Sequence, residues 1–517
     1  MTLSSPQWTQ TATWHMPLPN EAATTAFAVE IAHWLRPGDL VTLSGELGAG
    51  KTAFARALIR SLTGDADLEV PSPTFTLMQI YDGLDFPIVH ADFYRIRAGE
   101  ELDELGWDEA AEGALVLVEW PERAGERLGA DRLDIRLALD PAQDAGFRTA
   151  TLTGSGRFAP RLDTARAIHN VLAESGFADA ERQFMQGDAS TRAYERLVRP
   201  DGTTAVLMIS PPRPDGPPIR FGKSYGTLAR LAENIRPYVA IDKALRAEGF
   251  SAPDIYAADL DVGVAVVEDF GNDGVVADGA IITERYAESV ALLARLHQLH
   301  LPDTLQIDEA HNYRIPPYDL EALSIETELL IDWYAPHIAK ASLSSGAKAS
   351  FVNLWRHVLR DVVAGSRTWT LRDFHSPNIH WLAARQGSAR IGIIDFQDCV
   401  LGHPAYDVVS LLQDARVSVP PEVELKLLGH YAQLRRIADA TFDMAGFARA
   451  YAVLGAQRAT KILGIFARLD KRDHKPHYLI HLPRIEENLA KDLAHPLLSG
   501  LKGWYETHLP QIFTRGA

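Results

Sequence analysis

The octapeptide GELGAGKT at residues 45–52 constrains the fold of this chain more than any other stretch. It follows a short apolar run and precedes residues 51–63, where Phe54, Leu58 and Leu62 fall on one helical face. Its glycines let backbone amides turn inward around phosphate oxygens, and the N-terminus of the following helix adds a favourable dipole. The pattern therefore predicts a strand, a phosphate-binding loop and a helix, which together make a nucleotide site.

Every residue of this loop is a candidate nucleotide ligand: Gly45, Glu46, Leu47, Gly48, Ala49, Gly50, Lys51 and Thr52. We expect Lys51 to reach the β- and γ-phosphates of ATP and the Thr52 hydroxyl to ligate Mg²⁺. The alternative is a glycine-rich turn that merely contains Lys-Thr, and the flanking strand and helix disfavour it.

The stretch up to residue 155 alternates strand-like and helix-like segments, which is typical of a sheet with helices on both faces. We predict an α/β P-loop domain over residues 1–155. Its expected elements are a helix at 20–35 and strands at 39–44, 88–94, 115–119, 133–139 and 147–152. The stretch GSGRFAPRL (154–162) breaks the periodicity with two glycines and a proline, and it predicts a linker at 156–164.

Composition narrows the class of protein. The chain has 517 residues and a single cysteine, Cys399, which excludes an internal disulfide framework and favours a reducing, cytoplasmic compartment. No apolar run approaches the ~20 residues of a membrane helix. The net charge is −17 and no basic stripe is present, so any RNA is expected to be held by a partner protein.

Three further stretches of the first domain resemble the TsaE family, the ATPases of bacterial tRNA threonylcarbamoyladenosine biosynthesis: SPTFTL (72–77), HADFYRI (90–96) and LVEWPER (117–123). The resemblance implies that Thr52 and Glu119 hold Mg²⁺ and that Asp92 lies by the γ-phosphate and the attacking water. It also implies that Trp120 shapes the nucleotide site, that residues 72–76 form a switch-like segment, and that a transferase complex is the protein partner.

The residues themselves support part of this assignment. Glu119 and Asp92 each end an apolar run, and a carboxylate at the carboxyl end of a buried strand suits a magnesium site. A solvated strand-end acid is the alternative for both, and a packing role is the alternative for Trp120.

A second set of phosphate-transfer residues lies far along the chain. LRDFHSPN (371–378) places Asp373 five positions before Asn378, and a hairpin predicted at 379–394 leads to Asp395. Phosphoryl transfer to a hydroxyl needs a carboxylate near the acceptor and oxygen ligands for Mg²⁺, and these three residues have protein-kinase-like spacing. The alternative is that Asp373 only caps a turn.

The surrounding pattern predicts a bilobal α+β protein-kinase-like domain over residues 165–517. Strands dominate from 184 to 270 around one helix at 238–248, and helices dominate from 282 onward. We therefore expect an N-lobe at 165–272 and a C-lobe at 273–517.

This second part is similar to the aminoglycoside phosphotransferase superfamily, and within it to the AmgK kinases of N-acetylmuramate and N-acetylglucosamine, which phosphorylate the anomeric hydroxyl in cell-wall recycling. The matching stretches include GDASTRAYERL (187–197), VVEDFG (266–271) and GHPAYDVVSLLQDAR (402–416). The resemblance implies that 187–197 covers the phosphates of ATP, that Val267 to Asp269 form the adenine-side hinge, and that Asp407 braces the catalytic loop.

This sequence departs from the kinase pattern at two positions. Met208 stands where kinases place a phosphate-binding lysine, and Arg192 is the candidate to share that charge. Leu371 replaces the histidine of the usual His-Arg-Asp run, a position with a structural role.

Several side chains have open interpretations. His297 and His300 lie on an apolar helix and are better explained by packing or surface positions than by ligation. His375 could contact substrate or brace its loop, and residues 326–334 could line a sugar pocket or form a helix surface.

We predict two ATP-using enzymes joined end to end, one an ATPase and one an amino-sugar kinase. The alternatives are a nucleotide-driven regulatory switch for the first part, and an aminoglycoside or choline kinase, or a non-catalytic pseudokinase scaffold, for the second.

Overall fold

The computed structural model describes residues 11–97, 101–144, 146–185, 192–213 and 216–514, apart from the side chains of residues 103, 104 and 126. The chain divides into two compact units, Met1–Ala173 and Glu174–Ala517. Along the described residues, no helix is both long and apolar enough to cross a membrane.

The first unit is a mixed sheet flanked by helices, which confirms the predicted α/β class. Its elements are β1 (Thr11–Leu18), α1 (Glu21–Ala32), β2 (Leu40–Ser44), α2 (Lys51–Thr63), β3 (Met78–Asp82), β4 (Pro87–Asp92), α3 (Glu101–Glu104), α4 (Trp107–Ala111), β5 (Leu115–Glu119), β6 (Leu133–Leu139), β7 (Arg148–Ser155) and α5 (Phe158–Glu174). The strand order is β1-β7-β6-β2-β5-β4-β3. Strand β2 pairs in parallel with β5 and β6, and β4 pairs in parallel with β5, so the carboxyl ends of these strands share one edge.

Side-chain alternation along β5 shows why both faces of this sheet are covered. Leu115 and Leu117 pack into a core with α1, α2 and α5, whereas Val116 and Val118 pack into a second core with Trp107 of α4. A strand buried on both faces is nearly all apolar, as β5 is up to its final Glu119.

The linker predicted at 156–164 is wrong. Helix α5 begins at Phe158, and Phe158 and Leu162 are fully buried in the core of the first unit. Pro160 lies in the first turn of α5, where the missing N–H has no intrahelical partner to lose. Arg161 pairs with the buried Asp39 at 2.6 Å, which ties α5 to the start of β2.

The second unit begins with the predicted small lobe. Its elements are β8 (Glu181–Met185), β9 (Ala193–Val198), β10 (Thr204–Ile209), α6 (Tyr225–Leu228), α7 (Arg236–Ala247), β11 (Ile255–Asp259) and β12 (Val264–Glu268). The strands form one antiparallel sheet in the order β11-β12-β10-β9-β8. The predicted helix at 238–248 corresponds to α7.

The larger lobe is mostly helical, as predicted. Its elements are β13 (Val276–Ala277), β14 (Ala280–Ile281), α8 (Thr283–Leu296), β15 (Thr304–Gln306), β16 (Asn312–Arg314), α9 (Leu320–Leu329), a π-helical turn (Leu330–Tyr334), α10 (Ala335–His337), α11 (Ser345–Ala364), β17 (Thr368–Thr370), β18 (Ile379–Trp381), β19 (Ile391–Ile393), β20 (Val400–Gly402), α12 (Ala405–Leu412), α13 (Pro421–Ala438), α14 (Met444–Asp473), α15 (Leu482–Leu493) and α16 (Ser499–His508).

Two features of this unit position the residues predicted to transfer phosphate. Strands β18 and β19 pair as the predicted hairpin, with Ile379 opposite Ile393, which returns the chain to the catalytic loop. Phe396, the residue after Asp395, stacks on Tyr238 of α7 with ring centroids 4.9 Å apart. The small lobe is thereby attached to the segment that carries Asp395.

Candidate active sites

The loop between β2 and α2 has the backbone that its glycines permit. Gly45, Gly48 and Gly50 have φ angles of 140°, 81° and 101°, in a region that other residues rarely adopt. A Cβ on Gly45 would lie 2.2 Å from the carbonyl oxygen of Leu137 in β6. The loop therefore needs glycine both for its conformation and for its close approach to the sheet.

Lys51 is held at the centre of this loop. Its Nζ donates to the carbonyl oxygens of Gly45 at 2.8 Å and Glu46 at 3.0 Å, and it lies 3.7 Å from the centre of the Trp120 ring. Burial lowers the pKa of Lys51, and the nearby Glu119 opposes that shift. The predicted packing role and the predicted site role of Trp120 are compatible, because its ring packs against the loop cation.

Thr52 and Glu119 present oxygen atoms to the same point. The Thr52 hydroxyl donates to Glu119 Oε2 at 3.0 Å, and Glu119 Oε1 lies 3.1 Å from His90 Nε2. Both Glu119 and His90 are buried. Among the described residues, no group of three or more His, Cys, Asp or Glu side chains could hold a metal ion. One hydroxyl and one carboxylate fit Mg²⁺, which keeps several waters when it binds phosphates.

Asp92 ends β4 beside Glu119 in the parallel register. Its Oδ2 accepts hydrogen bonds from Ser72 at 2.8 Å and Thr74 at 2.7 Å, and its Oδ1 accepts from the Tyr94 backbone amide at 2.9 Å. The predicted switch-like segment is thus tied to Asp92 through two hydroxyl groups.

These side chains line a cavity of about 340 Å³. The predicted residues that line it are Leu47, Gly48, Gly50, Lys51, Thr52, Asp92, Glu119 and Trp120, and Ser72, Thr74 and Tyr94 join them. Gly45 and Glu46 contribute only their carbonyls to Lys51. Ala49 is buried, and its carbonyl accepts from Arg148 Nε at 3.1 Å. Sequence reasoning missed the His90 contact, although its position two residues before Asp92 put it on a buried strand.

In the second unit, the structure brings Asp373, Asn378 and Asp395 together. Asn378 Nδ2 donates to the Asp373 carbonyl at 2.9 Å and lies 3.4 Å from Asp395 Oδ2. Asp395 has a positive φ of 60°, which aims its carboxylate back toward the loop of Asn378. An amide oxygen and a carboxylate at this separation fit a Mg²⁺ ion bound to phosphates.

Arg192, the candidate to share the charge of the missing lysine, contacts Asp395. Its Nη1 donates to Asp395 Oδ1 at 3.0 Å, and Gln397 donates to the same oxygen at 2.8 Å. Burial raises the pKa of Asp395 to about 6, and the charge of Arg192 opposes that rise. Met208, at the position where kinases have the lysine, is a core residue that is 3% exposed. Strand β10 therefore supplies no cation.

Asp373 is kept ionised by its surroundings. Burial acts to raise its pKa, but nearby positive side chains outweigh burial and hold the pKa below its ordinary value. Those side chains are Lys461, Arg372 and Arg458, joined by His375 where it is protonated. A carboxylate that stays charged can accept a hydrogen bond from an acceptor hydroxyl.

Asp407 braces the catalytic loop, as the resemblance implied. Its two carboxylate oxygens accept from the backbone amides of Leu371 at 2.8 Å and Arg372 at 2.9 Å. His297 lies behind it, with Nε2 3.6 Å from Asp407 Oδ2 and Nδ1 2.8 Å from the Tyr431 hydroxyl. His297 therefore has a packing role, and His300 is exposed.

Glu326 lies neither in an open sugar pocket nor on a helix surface. It is fully buried and pairs with Arg372, with Lys461 at 3.0 Å, and with the hydroxyl of Tyr318 at 2.6 Å. Glu326 of α9 therefore connects Arg372, the residue before Asp373, to Lys461 of α14. Nothing in the sequence spacing signals this ion pair.

The remaining predicted residues have structural partners. Val267 is a buried residue of β12, and Asp269 pairs with Arg196 of β9 at 2.8 Å, so its carboxylate ties the end of β12 to β9. His375 is 9% exposed, and burial lowers its pKa to about 4. Residues 187–191 of the predicted phosphate-covering loop lie outside the described residues.

Comparison with known proteins matches each unit to a family. Residues 18–146 match the family model for the threonylcarbamoyl adenosine biosynthesis protein TsaE, and residues 181–453 match that of the phosphotransferase enzyme family. The N-acetylmuramate/N-acetylglucosamine kinase of Caulobacter vibrioides is 37% identical over 351 residues, which is 66% of this chain and 95% of that protein.

Two other relatives support the same division. The Pseudomonas putida protein of the same kinase name is 30% identical over 303 residues, 57% of this chain and 79% of that protein. The tRNA threonylcarbamoyladenosine biosynthesis protein TsaE of Rickettsia typhi is 43% identical over 122 residues, 24% of this chain and 84% of that protein.

Proposed function

This chain belongs to the TsaE family through its first unit and to the phosphotransferase enzyme family through its second, and from that membership we propose a specific pair of activities. The first unit hydrolyses ATP in support of tRNA threonylcarbamoyladenosine formation. The second transfers phosphate from ATP to the anomeric hydroxyl of N-acetylmuramate or N-acetylglucosamine in cell-wall recycling. The observation that carries the kinase proposal is the convergence of Asp373, Asn378 and Asp395 in a family member.

In the first unit, Lys51 would contact the β- and γ-phosphates of ATP, and Thr52 and Glu119 would hold Mg²⁺. His90 fixes the Glu119 carboxylate, because their side chains are 3.1 Å apart in a buried position. Asp92 orients the attacking water, and Ser72 and Thr74 couple it to the switch-like segment. The protein partner is the transferase complex of the pathway in the cytoplasm. This acidic chain contacts tRNA only indirectly, because the complex binds the tRNA.

In the second unit, Asp373 accepts a hydrogen bond from the sugar hydroxyl and orients it toward the γ-phosphate. Asn378 and Asp395 would hold Mg²⁺, whose charge would offset that of the transferring phosphate. Arg192 supplies the positive charge that kinases otherwise take from a lysine, because it already contacts Asp395 at 3.0 Å. Val267 to Asp269 form the adenine-side hinge.

The cations nearest Asp373 are buried side chains. Arg372, Lys461 and Arg458 all lie near its carboxylate. The nearby carboxylate of Glu326 is already paired with two of these cations. The choice of an amino sugar over a cationic acceptor is supported instead by the similar proteins named N-acetylmuramate/N-acetylglucosamine kinase.

A magnesium-ATP assay across N-acetylmuramate, N-acetylglucosamine, aminoglycosides and choline tests this proposal, with the phosphorylated position determined. We expect transfer to the anomeric oxygen of the two amino sugars. Lys51→Ala should abolish nucleotide binding in the first unit and leave sugar phosphorylation intact, whereas Asp373→Asn should do the reverse. ATP binding without transfer to any acceptor would support a pseudokinase, and loss of both activities in Lys51→Ala would refute two independent sites.

A further inference from the structure

The second unit contains a cavity of about 660 Å³ that the proposed reaction does not use. It is formed by the end of α11, the turn before α12, the end of α13 and the start of α14. Asp373, Asn378 and Asp395 are not among its lining residues. Its volume falls within the ~300–1,000 Å³ of typical small-molecule sites.

Arg435 and His403 give one wall of this cavity its donors. Arg435 lies 4.9 Å from the centre of the Phe442 ring, and its Nη1 donates to the Tyr431 hydroxyl at 3.0 Å. Its Nε is buried without a hydrogen-bond partner, and no carboxylate of the described residues forms an ion pair with it. His403 Nδ1 accepts from the Ala405 amide at 3.1 Å, which leaves Nε2 as the donor.

His403 is a neutral donor beside the charged Arg435. Burial, together with the nearby His297 and Arg435, lowers the pKa of His403 to about 4. Arg435 is thus the charged donor of this wall, and Asp439 at the rim is the nearby carboxylate, whose pKa is lowered by hydrogen bonds from Thr441 and by the charge of Arg435. The planar guanidinium of Arg435 suits a phosphate oxygen pair, and the His403 N–H suits a third oxygen.

The rim of the cavity presents carboxylates. Asp361 is exposed there, and Asp439 and Asp443 have one oxygen each bonded to a local backbone amide, of Thr441 and Gly446. The second oxygen of Asp443 lies 3.7 Å from Arg449, and that of Asp439 is an acceptor for a hydroxyl group. A ligand with a phosphate at one end and hydroxyls at the other matches both parts of the lining.

We propose that this cavity is a regulatory site for a sugar phosphate, whose phosphate binds Arg435 and His403. The choice of a sugar phosphate as the regulator rests on the proposed sugar-kinase function, since it is the chemical class of that reaction's product. The site itself rests on the cavity and its donors.

A continuous set of contacts joins this site to the catalytic loop. Arg435 donates to Tyr431, the Tyr431 hydroxyl lies 2.8 Å from His297 Nδ1, and His297 Nε2 lies 3.6 Å from Asp407. Asp407 in turn accepts from the amide of Leu371 at 2.8 Å. All of these partners are buried except Arg435, which is half-buried.

The expected direction of the effect follows from charge. The groups facing His297 are Asp407, Tyr431, Arg435 and His403. Burial lowers the pKa of His297, Asp407 opposes that shift, and Arg435 adds to it. A phosphate that neutralises Arg435 would favour protonated His297, which then competes with the loop amides for the Asp407 carboxylate. The bound ligand is therefore expected to lower turnover.

The test uses the full chain and N-acetylglucosamine 1-phosphate as the added ligand. We expect a fall in kcat that saturating ATP and saturating sugar do not relieve, and calorimetric binding that persists in Lys51→Ala. Arg435→Gln should weaken binding roughly 10–100-fold, the value of one or two charge-assisted hydrogen bonds. Arg436→Gln is the matched control, because Arg436 is the next residue of α13 and is not among the lining residues.

Inhibition that is purely competitive with sugar or ATP would overturn the proposal, as would equal binding by the two variants. If Arg435→Gln is poorly folded by circular dichroism, Arg449→Gln at the exposed rim replaces it, with a loss of affinity again expected. A protein that phosphorylates no sugar yet binds the ligand with this variant pattern would refute the proposed function and keep the site.

Discussion

Replacing Glu326 with glutamine removes one negative charge from the interior of the second unit while keeping the size of the side chain. The carboxylate is 0% exposed and has two buried cationic partners, Arg372 and Lys461. It also accepts from Tyr318 at 2.6 Å and Gln457 at 3.1 Å. Glutamine would leave both cations without their directly paired carboxylate and would point an amide N–H₂ at groups that are themselves donors.

Removal of one partner from a buried ion pair typically costs ~3–5 kcal/mol of unfolding free energy, because the charge left behind is not compensated. Two cations depend on Glu326, so we expect about 4–5 kcal/mol. With a urea m-value of about 3 kcal/mol/M for a unit of this size, the midpoint should fall by roughly 1.5 M. Turnover should also fall, because Arg372 directly precedes Asp373.

Urea unfolding of the full chain, followed by pulsed hydrogen exchange of peptides from α11 and α14, isolates the second unit. Glu328→Gln is the matched control on the same helix, since Glu328 pairs with Arg220 at 2.6 Å in a partly exposed position. Exposed pairs of this kind contribute ~0.2–1 kcal/mol. Equal losses in the two variants would refute the importance of the buried pair.

The stabilisation that Glu326 contributes should depend on pH in one direction. Burial acts to raise the pKa of Glu326, but Lys461 and Arg372 outweigh it and hold the pKa below 4.5. A depressed native pKa means that the stabilisation is complete above pH 4.5 and is lost as the pH falls through the native value. The gap in stability between the wild type and Glu326→Gln should therefore narrow below pH 4.5.

Two further predictions concern the active sites. Asp373→Asn should lower sugar-kinase turnover ~10²–10⁴-fold with nearly unchanged ATP affinity, whereas Asp395→Asn should weaken magnesium-ATP binding as well. Steady-state kinetics with ATP titration separate the two roles. If the two phenotypes are swapped, the two roles are the reverse of those proposed. His90→Leu should weaken magnesium-dependent nucleotide binding in the first unit ~10–100-fold, because Glu119 loses its buried partner; a fluorescent-nucleotide titration with unchanged affinity would contradict this role.

The elements that were predictable from sequence are those in which a local pattern and a chemical motif coincide. Strand β5 was predicted with its observed bounds because an apolar run ends in a single carboxylate, and α2 because a glycine loop precedes a one-faced helix. The hairpin of β18 and β19 was predicted from the stretch 379–394, with its turn near residues 386–388.

Contacts that depend on distant residues were not predictable. Glu326 lies 46 positions from Arg372 and 135 from Lys461, and only the packing of α9 against α14 brings their charges together. When its ion-pair partner is unknown, an acidic residue on an apolar helix is predicted to lie on the protein surface. The same holds for His90, whose partner Glu119 lies 29 positions away on the neighbouring strand.

The wrong linker came from reading proline and glycine by composition alone. Gly154 lies within β7, Gly156 makes a turn with a φ of 60°, and Pro160 sits in the first turn of α5, where proline is tolerated. Each residue thus has a position inside regular structure that suits it. The boundary between the two units therefore lies at the end of α5 and not before it.

A first-unit fragment should therefore need helix α5. A fragment of residues 1–155 loses Phe158 and Leu162 from its core, each worth about 1.5–3 kcal/mol of burial. It also leaves the buried Asp39 without Arg161, its partner at 2.6 Å. The sum of these losses approaches the ~5–15 kcal/mol stability of a typical domain, so we expect this fragment to be largely unfolded.

The fragment 1–174 retains α5 and should melt cooperatively and bind ATP, while a complementary fragment that begins at residue 175 should keep sugar-kinase activity. A second-unit fragment that begins at Leu162 would instead carry an apolar helical face removed from its core, and it should aggregate more readily than the one from residue 175. Circular dichroism melting curves and light scattering compare all four fragments. Equal melting temperatures for 1–155 and 1–174 would show that α5 contributes nothing to the first unit, contrary to its burial.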